Sequence, residues 1–221
     1  ESLFIIPESL TEFEEEADGE PVTVLRRTQD MTEMAETIQY SNPLSVSLEE
    51  VYIECVSASG LTLPVSFYGD NTMAYGECRV LTQYARSGEI YELRLYSYQD
   101  EVTLQLEETR LIRVADDGAP LEYPTFEVKL VADEASGGTA LSVTHTGGSL
   151  FADGTEGHLY LVDSELLPER RITAEDFAEN PTQTFELTAP AAGIYEIRII
   201  FVSADMEYVV WVSTVTVPQS R

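Results

Sequence analysis

The chain has 221 residues, of which 43% are hydrophobic, so it is long and apolar enough for one large domain or two ordinary ones. Its 40 acidic residues against 12 basic ones give a formal net charge of -28, and both halves of the chain are acidic. Such a surface repels phosphate groups, so the charge excludes nucleic acid and anionic membrane surfaces as partners.

The first 40 residues carry an acidic lead-in, one predicted strand and one predicted helix. The run from Glu12 to Glu20 is typical of a solvated loop, and residues 22–25 are predicted to form the first strand. Asp30-Met31-Thr32-Glu33 has the sequence of a capping box, and apolar residues follow it at helical spacing. We therefore expect a short helix near 31–39, packed on a first β-sandwich.

Strand signals recur up to residue 114. The segments rich in β-branched and aromatic residues are 51–56, 63–68, 77–81, 90–97 and 102–114. In the last segment Val102, Leu104 and Leu106 alternate with polar residues. This alternation is typical of a strand with its apolar face on the core and its polar face in water.

Cys55 and Cys78 are the two cysteines of the chain. Each is in phase with apolar neighbours on its predicted strand, so both sulfurs are expected to point into one core. Two alternatives stay open. The pair forms a disulfide in an oxidising compartment, or it remains as two buried thiols that act as small apolar residues. Their spacing is not that of a metal site, so zinc is not expected.

The clearest linker signal is Asp116-Asp117-Gly118-Ala119-Pro120, with Pro124 soon after. It predicts an N-terminal β-sandwich over 1–115, a linker over 116–124 and a C-terminal sandwich over 125–221. Strands of the C-terminal sandwich are predicted at 126–131, 140–144, 157–162 and 184–187, with a capped short helix at 173–178 and a closing hairpin at 193–217.

A short motif is repeated at the start of the last hairpin predicted in each half. Residues 90–95, Ile-Tyr-Glu-Leu-Arg-Leu, share four identities with residues 194–199, Ile-Tyr-Glu-Ile-Arg-Ile. Two related sandwiches in tandem explain the repeat, and one domain with a chance echo is the alternative.

The residues that lead into the second copy, Ala-Pro-Ala-Ala-Gly-Ile-Tyr-Glu-Ile from 189 to 197, resemble the start of strand F in immunoglobulin-like domains. In that family the tyrosine hydrogen-bonds back to the backbone, and a cysteine often follows two residues later. Ile197 stands at the cysteine position, so the chain resembles the cysteine-free immunoglobulin-like modules that bacterial surface and secreted proteins carry in tandem. The resemblance implies an all-β fold of two tandem immunoglobulin-like β-sandwich domains with one or two short helices.

Two groups of residues are candidate sites. Tyr96 and Tyr98 are predicted on the outer face of the first sandwich, where exposed aromatic rings stack on sugars or anchor a protein partner, unless the second domain or the short helix covers them. Asp153 and Glu156 share a loop that could hold a divalent cation, although an Asp-Gly turn entering a strand explains the same residues.

No cofactor site and no catalytic constellation is recognised, so we expect that the protein is not an enzyme. The expected function is non-catalytic binding or spacing at the outside of a bacterial cell, with protein or glycan as the partner. The alternatives are a carbohydrate-binding or calcium-dependent adhesion module, or the accessory domains of a larger secreted enzyme. The start at Glu1 and the absence of an unblocked Asn-x-Ser/Thr sequon fit an extracellular or cell-envelope location.

Overall fold

The structure is a computed structural model, and its residues group into two compact units, Glu1–Pro120 and Leu121–Arg221. The boundary between the units falls inside the segment 116–124. The residues that the structure describes are 2–11, 15–28, 35–42, 46–70, 72–115, 118–133, 136–150, 156–161, 167, 169–188, 190–203 and 206–219. Within them the protein is mainly β-structure, as the sequence predicts.

The described part of the first unit holds ten strands and one short α-helix. They are β1 (Phe4–Ile5), α1 (Glu8–Thr11), β2 (Glu15–Ala17), β3 (Glu20–Leu25), β4 (Thr37–Ser41), β5 (Val51–Ser57), β6 (Thr62–Leu63), β7 (Val65–Tyr68), β8 (Tyr75–Val80), β9 (Ile90–Tyr98) and β10 (Leu104–Val114). Single turns of 3-10 helix, Leu48–Glu50 and Thr82–Tyr84, precede β5 and follow β8.

These strands form two sheets, in the orders β1-β4-β8-β7 and β2-β3-β10-β9-β5-β6. We letter the principal strands in chain order as A (β1), B (β4), C (β5), C′ (β6), D (β7), E (β8), F (β9) and G (β10). The sheets then read A-B-E-D and G-F-C-C′, which is the strand order of an immunoglobulin sandwich. The second sheet is widened by β3, which pairs in parallel with β10.

The core of the first unit is built from every second residue of its strands. Ile38 and Tyr40 of β4 are buried from one sheet, and Tyr91, Leu93 and Leu95 of β9 are buried from the other. Because side chains alternate between the two faces of a strand, this spacing leaves the intervening residues of β9 on the outer surface.

The second unit is a smaller sandwich. Its described elements are β11 (Thr125–Ala132), β12 (Thr139–Gly147), β13 (Glu156–Leu161), β14 (Arg170–Ile172), α2 (Ala174–Glu179), β15 (Thr182–Glu186), β16 (Gly193–Ser203) and β17 (Met206–Val217). The sheets have the orders β11-β12-β15 and β14-β13-β16-β17. Lettered A to G in chain order, the sheets read A-B-E and D-C-F-G. Strand D (β14) therefore pairs with strand C, whereas in the A-B-E-D sheet of the first unit it pairs with strand E.

The predicted short helix of the second unit is confirmed as α2. The Thr173 hydroxyl accepts a hydrogen bond from the Asp176 backbone N–H at 3.1 Å, and the Asp176 carboxylate accepts one from the Thr173 N–H at 2.9 Å. This reciprocal pair satisfies two of the backbone donors that a helix start leaves unpaired.

The repeated motif occupies the same place in both units. Tyr91 and Tyr195 lie near the start of strand F, which in each unit pairs with strands C and G. The Tyr91 hydroxyl accepts a hydrogen bond from the Arg86 backbone N–H at 3.0 Å, and the Tyr195 hydroxyl donates one to the Ala191 carbonyl at 2.9 Å. Both tyrosines thus bond back to the chain just upstream, as the resemblance implies.

The helix predicted near 31–39 is wrong over its described part. Residues 31–34 lie outside the described residues, and Thr37–Ser41 form strand β4 instead of helix. Ile38 and Tyr40 are buried while their neighbours are partly exposed, which is the two-residue period of a strand. Pairing with β8, in which Ile38 lies opposite Cys78, decides the outcome over the helical spacing of the apolar residues.

Candidate binding face

Five apolar side chains gather on the outer surface of β5, β9 and β10. In the pairing register Tyr96 lies opposite both Tyr52 and Leu106, and Tyr98 lies opposite Leu104. Directly opposite residues of an antiparallel pair project to the same side of a sheet. Tyr98 is 39% exposed and Leu106 is 50% exposed. We call this set, Tyr52, Tyr96, Tyr98, Leu104 and Leu106, the tyrosine face.

The rings on this face are held by one another. The Tyr52 and Tyr96 centroids are 6.2 Å apart in a tilted arrangement. Tyr52 also meets Phe67 of β7 edge to face, at 6.0 Å. Aromatic pairs at these distances stabilise their arrangement by about 1 kcal/mol beyond the area they bury. The Tyr52 and Tyr96 rings are therefore held in fixed positions.

A β-bulge determines that the leucines are exposed. Leu106 pairs with Tyr96, but Glu108 pairs with Leu95, so Glu107 is an extra residue on β10. Since one extra residue reverses the side to which all following side chains point, Leu104 and Leu106 face outward while Ile112 and Val114 are buried. The predicted placement of Val102, Leu104 and Leu106 on the core is therefore wrong, and Val102 is 87% exposed.

The bulge is anchored by a polar cluster. The hydroxyl of Ser97, which is fully buried, donates to the Glu107 carboxylate at 2.5 Å and accepts from the Gln99 side-chain amide at 2.8 Å. Hydrogen bonds to a carboxylate are stronger than those between neutral groups. This contact fixes the extra residue and, with it, the outward direction of Leu106.

The second unit has the same bulge. Ile200 pairs with Val209 and Ile199 with Trp211, so Val210 is the extra residue of β17. The alignment of the two motifs places Val210 at the position of Glu107, and Val210 is buried. The bulge therefore belongs to the repeated hairpin, and its side chain is apolar in one unit and acidic in the other.

Charged residues lie beside the tyrosine face on the same side of the sheet, where Glu54 of β5 is directly opposite Arg94 of β9. The Arg94 guanidinium contacts Glu92 at 2.7 Å and Glu54 at 3.4 Å, and the Tyr96 hydroxyl donates to Glu54 at 2.7 Å. The bond to Glu92 raises the pKa of Arg94, so the guanidinium stays charged. Burial, followed by the bond to Glu54, raises the pKa of Tyr96, so its hydroxyl keeps the proton that it donates.

The turn beside the face is held by Asp100. Its carboxylate accepts hydrogen bonds from the Val102 and Thr103 backbone N–H groups and from the Thr103 hydroxyl, at 2.8–2.9 Å. These bonds lower the pKa of Asp100 because they favour the charged form. A negative charge therefore stands at the end of the hairpin that carries Tyr98 and Leu104.

Cys55 and Cys78 face the core from opposite sheets of the first unit. Both are buried and both are free thiols, so the disulfide that the sequence left open is not present in the structure. Burial is the main cause that raises the pKa of each thiol above its usual value. In this form the two sulfurs act as small apolar core atoms.

The predicted cation site cannot be compared with the structure. Asp153 lies outside the described residues, and Glu156 lies in β13, where only the backbone is described. The cation site at Asp153 and Glu156 stays a prediction. Elsewhere, among the residues whose side chains are described, no three cysteine, histidine or acidic residues are grouped as metal ligands.

His145 is the histidine whose side chain the structure describes. Its ring lies 5.5 Å from Phe126 and 6.1 Å from Phe177, and Phe126 in turn meets Trp211 at 5.9 Å. An imidazole in contact with two aromatic rings is suited to packing within the second sandwich.

A cleft of about 770 Å³ lies within the second unit. Arg170 of β14, Glu186 of β15 and Val217 of β17 are among the residues that line it. None of the five residues of the tyrosine face is among those that line it.

The sequence identified part of the tyrosine face and missed the rest. The sequence predicts Tyr96 and Tyr98 on the outer face of the first sandwich, and the structure has both on that face, with Tyr96 partly buried and Tyr98 39% exposed. Tyr52 could have been found from its phase, because it alternates with buried Val51 and Ile53. The leucines of β10 could not, since their direction depends on the bulge.

Comparison with known proteins gives no family. No protein-family model matches the chain, and no curated protein matches it. Among solved structures 53 chains match, and one is described as a crystal structure of a chicken TCR. That match is 9% identical, covers 90% of this chain and 97% of the other, and has a TM-score of 0.28.

The class of the chain follows from three features: the strand orders, the tyrosines that hydrogen-bond back to the chain upstream, and the bulge that each unit has on its last strand. The chain is an all-β protein with an immunoglobulin-like sandwich fold. Among its described helices, none has the length and apolar character that crossing a membrane requires.

Proposed function

We propose that this protein is a non-catalytic binding protein that recognises a protein partner through the tyrosine face of its first unit. The observation that carries the proposal is the contiguous exposure of Tyr52, Tyr98, Leu104 and Leu106 around Tyr96 on three adjacent strands. Binding energy at protein interfaces concentrates in such aromatic and apolar anchors near the centre of a patch.

The composition of the face favours protein over glycan. Sugar recognition uses exposed aromatic rings together with polar groups that are open to the ligand, whereas two of the five side chains here are leucines. The Tyr96 hydroxyl is already committed to Glu54, at 2.7 Å. An apolar surface with rigid rings fits a protein surface better than a saccharide.

The proposal includes an extracellular or cell-envelope location, of the kind found for tandem immunoglobulin-like modules in bacteria. The large negative charge of the chain supports it, because acidic surfaces keep exposed proteins soluble and separate from anionic envelopes. Fractionation of the source cells with an antibody against the chain would test this part, and recovery only from the cytoplasm would contradict it.

The binding proposal is tested by differential selection. A random peptide library displayed on phage is panned on the parent chain and on a variant in which Tyr98 and Leu106 are both replaced by serine. A matched control replaces Ile194 and Val212, exposed aliphatic residues of the second unit, by serine. Thermal unfolding establishes first that the variants retain their fold.

We expect peptides enriched on the parent chain to bind the control variant equally and to lose about tenfold or more of their affinity for the tyrosine-face variant, a loss of about 1.4 kcal/mol or more. Peptides that bind all three chains equally would contradict the proposal. A glycan array probed with the same chains tests the alternative of a carbohydrate-binding module. Glycan binding that depends on Tyr98 would show that the ligand of the face is a saccharide and not a protein.

A further inference from the structure

The charge around the tyrosine face restricts what can bind there. The Arg94 guanidinium, beside the tyrosine face, lies 3.4 Å from Glu54 and 2.7 Å from Glu92. Its single positive charge is therefore outweighed by two negative carboxylates. Glu54 and Glu92 retain 29% and 41% of their side-chain surface. Asp100 adds a further negative charge at the hairpin end. The rim of the face is therefore acidic, and its guanidinium is not available to bind an anion.

The rest of the chain reinforces this charge. Its acidic residues outnumber its basic residues by 28, and Lys129, in the second unit, is its single lysine. A field of this sign attracts cationic partners and slows the approach of anionic ones, with an effect that weakens as salt is added. A second copy of the chain carries the same charge, which disfavours pairing between two tyrosine faces.

The chemistry of the face suits one kind of cation. Tyrosine rings attract arginine and lysine through their electron-rich faces, and leucine side chains cover the aliphatic stems of the same residues. Carboxylates bind a guanidinium through two parallel hydrogen bonds. The apolar side chains of the tyrosine face thus lie next to the carboxylates of Glu54 and Glu92. Tyr96 belongs to the face and also hydrogen-bonds to Glu54.

We propose that the partner of the tyrosine face is a polypeptide segment that presents arginine or lysine beside apolar side chains. The apolar side chains lie against Tyr52, Tyr98 and the two leucines, and the cation lies against Glu54 and Glu92. This inference rests on the proposed function, because it names the partner chemistry of the same face.

The test uses two synthetic peptides that differ only in charge. Both are short and extended and alternate leucine or tyrosine with a second residue, which is arginine in one peptide and citrulline, its neutral isostere, in the other. Fluorescence anisotropy measures their binding to the full chain at low ionic strength and at about 0.15 M salt. The variants are the Tyr98 and Leu106 double-serine chain, Glu92→Gln, and the Ile194 and Val212 control.

We expect the arginine peptide to bind the parent chain about tenfold or more tightly than the citrulline peptide, with the difference shrinking as salt rises. Glu92→Gln should weaken the arginine peptide alone, and the double-serine variant should weaken both peptides. The control should bind as the parent does. Light scattering of the free chain is expected to show no self-association that depends on Leu106.

Every other outcome of this experiment contradicts a stated part of the two proposals. Equal binding of the two peptides through the tyrosine face overturns the cationic partner and leaves the proposed function standing. If the double-serine variant and the control bind the arginine peptide equally well, the peptide is attracted by the overall acidity, which overturns the cationic partner of the tyrosine face; the phage selection decides the proposed function independently. Failure of both peptides to bind, or self-association through Leu106, overturns the cationic segment as the occupant.

Discussion

Gly76 is the position where a single methyl group is expected to cost the first unit most. It lies in β8 directly opposite Tyr40 of β4, and the tyrosine ring rests on it. A Cβ added to Gly76 would lie 2.2 Å from the Tyr40 Cζ and 2.4 Å from its hydroxyl oxygen. Because carbon atoms pack at about 3.5 Å or more, the ring would have to move by more than about 1 Å. Tyr40 is fully buried, so Gly76→Ala forces that movement on a packed core.

The size of the effect follows from this geometry. Overpacking a core costs about 1–3 kcal/mol, and the short contacts at Gly76 place the change near about 3 kcal/mol. Tyr40→Ala alone should cost about 3–5 kcal/mol through loss of the ring. In that background Gly76→Ala meets no ring, and it should be neutral or stabilise by up to about 1 kcal/mol, because alanine loses less entropy than glycine. The coupling energy is then about 3–4 kcal/mol.

The chain contains its own reporters for the measurement. Its two cysteines are both buried in the first unit, and its single tryptophan, Trp211, lies in the second. Thiol labelling across a urea gradient therefore follows the first unit, and tryptophan fluorescence follows the second. With an m-value of about 1–3 kcal/mol/M, Gly76→Ala should lower the urea midpoint of thiol labelling by about 1–3 M.

Gly193→Ala is the control, because an added Cβ there finds its nearest neighbour at 3.6 Å, an ordinary contact. Gly193 lies in the second unit, so tryptophan fluorescence follows this variant, and we expect the free energy of unfolding of that unit to change by less than about 0.5 kcal/mol. The reasoning is refuted if Gly76→Ala is as mild as the control. It is also refuted if Gly76→Ala costs as much with Tyr40→Ala as without it, since the ring would then not be the obstacle.

Three further predictions concern buried groups. Tyr40→Phe should leave stability unchanged or raise it by up to about 1 kcal/mol, since the Tyr40 hydroxyl is buried without a hydrogen-bond partner among the described residues; a clear loss of urea midpoint contradicts this. Tyr91→Phe should cost about 1 kcal/mol in thermal unfolding, because it removes the acceptor of a part-buried backbone N–H, and Tyr195→Phe should cost less, because Tyr195 is partly exposed. Burial raises the pKa of Cys55 and Cys78, so their contribution to stability is complete below the unfolded thiol pKa of about 8.5 and is lost as the pH rises above it. The urea midpoint, followed by circular dichroism because the chain with both cysteines replaced by alanine has no thiol to label, should therefore be lower at about pH 9.5 than at about pH 7, and the fall should be smaller in that alanine chain; an equal fall in the two chains contradicts the assignment.

Much of the strand content could be predicted because its signals are local. The closing hairpin, confirmed as β16 and β17, alternates large apolar residues over its length, and α2 begins with Thr173 and Asp176 in the two positions of a capping box. The segment 31–39 shows the limit of this approach. Its apolar residues fit a helix, but Ile38 and Tyr40 also fit a strand, and the choice depends on pairing with β8, which no local pattern reveals.

The candidate site was predictable only as far as it depends on phase within one strand. Tyr96 and Tyr98 follow from their alternation with buried residues of β9. Leu104 and Leu106 show the same clear alternation, and it gave the wrong face. The period of their strand is correct, but the Glu107 bulge reverses its phase, and the bulge is held by Ser97 on a different strand. A tertiary contact therefore decides which side of β10 is exposed.

The two units show that the scaffold and the surface vary separately. Both carry the tyrosine that bonds back at strand F and the bulge on strand G, and in both the residue before the bulge, Leu106 or Val209, faces outward. The outer residues of strand F differ, because Tyr96 and Tyr98 of the first unit correspond to Ile200 and Val202 of the second. Rigid rings beside paired carboxylates therefore belong to the first unit alone among the described residues. Since fold does not determine function, recognition is assigned to the first unit from these side chains and not from the sandwich that both units share.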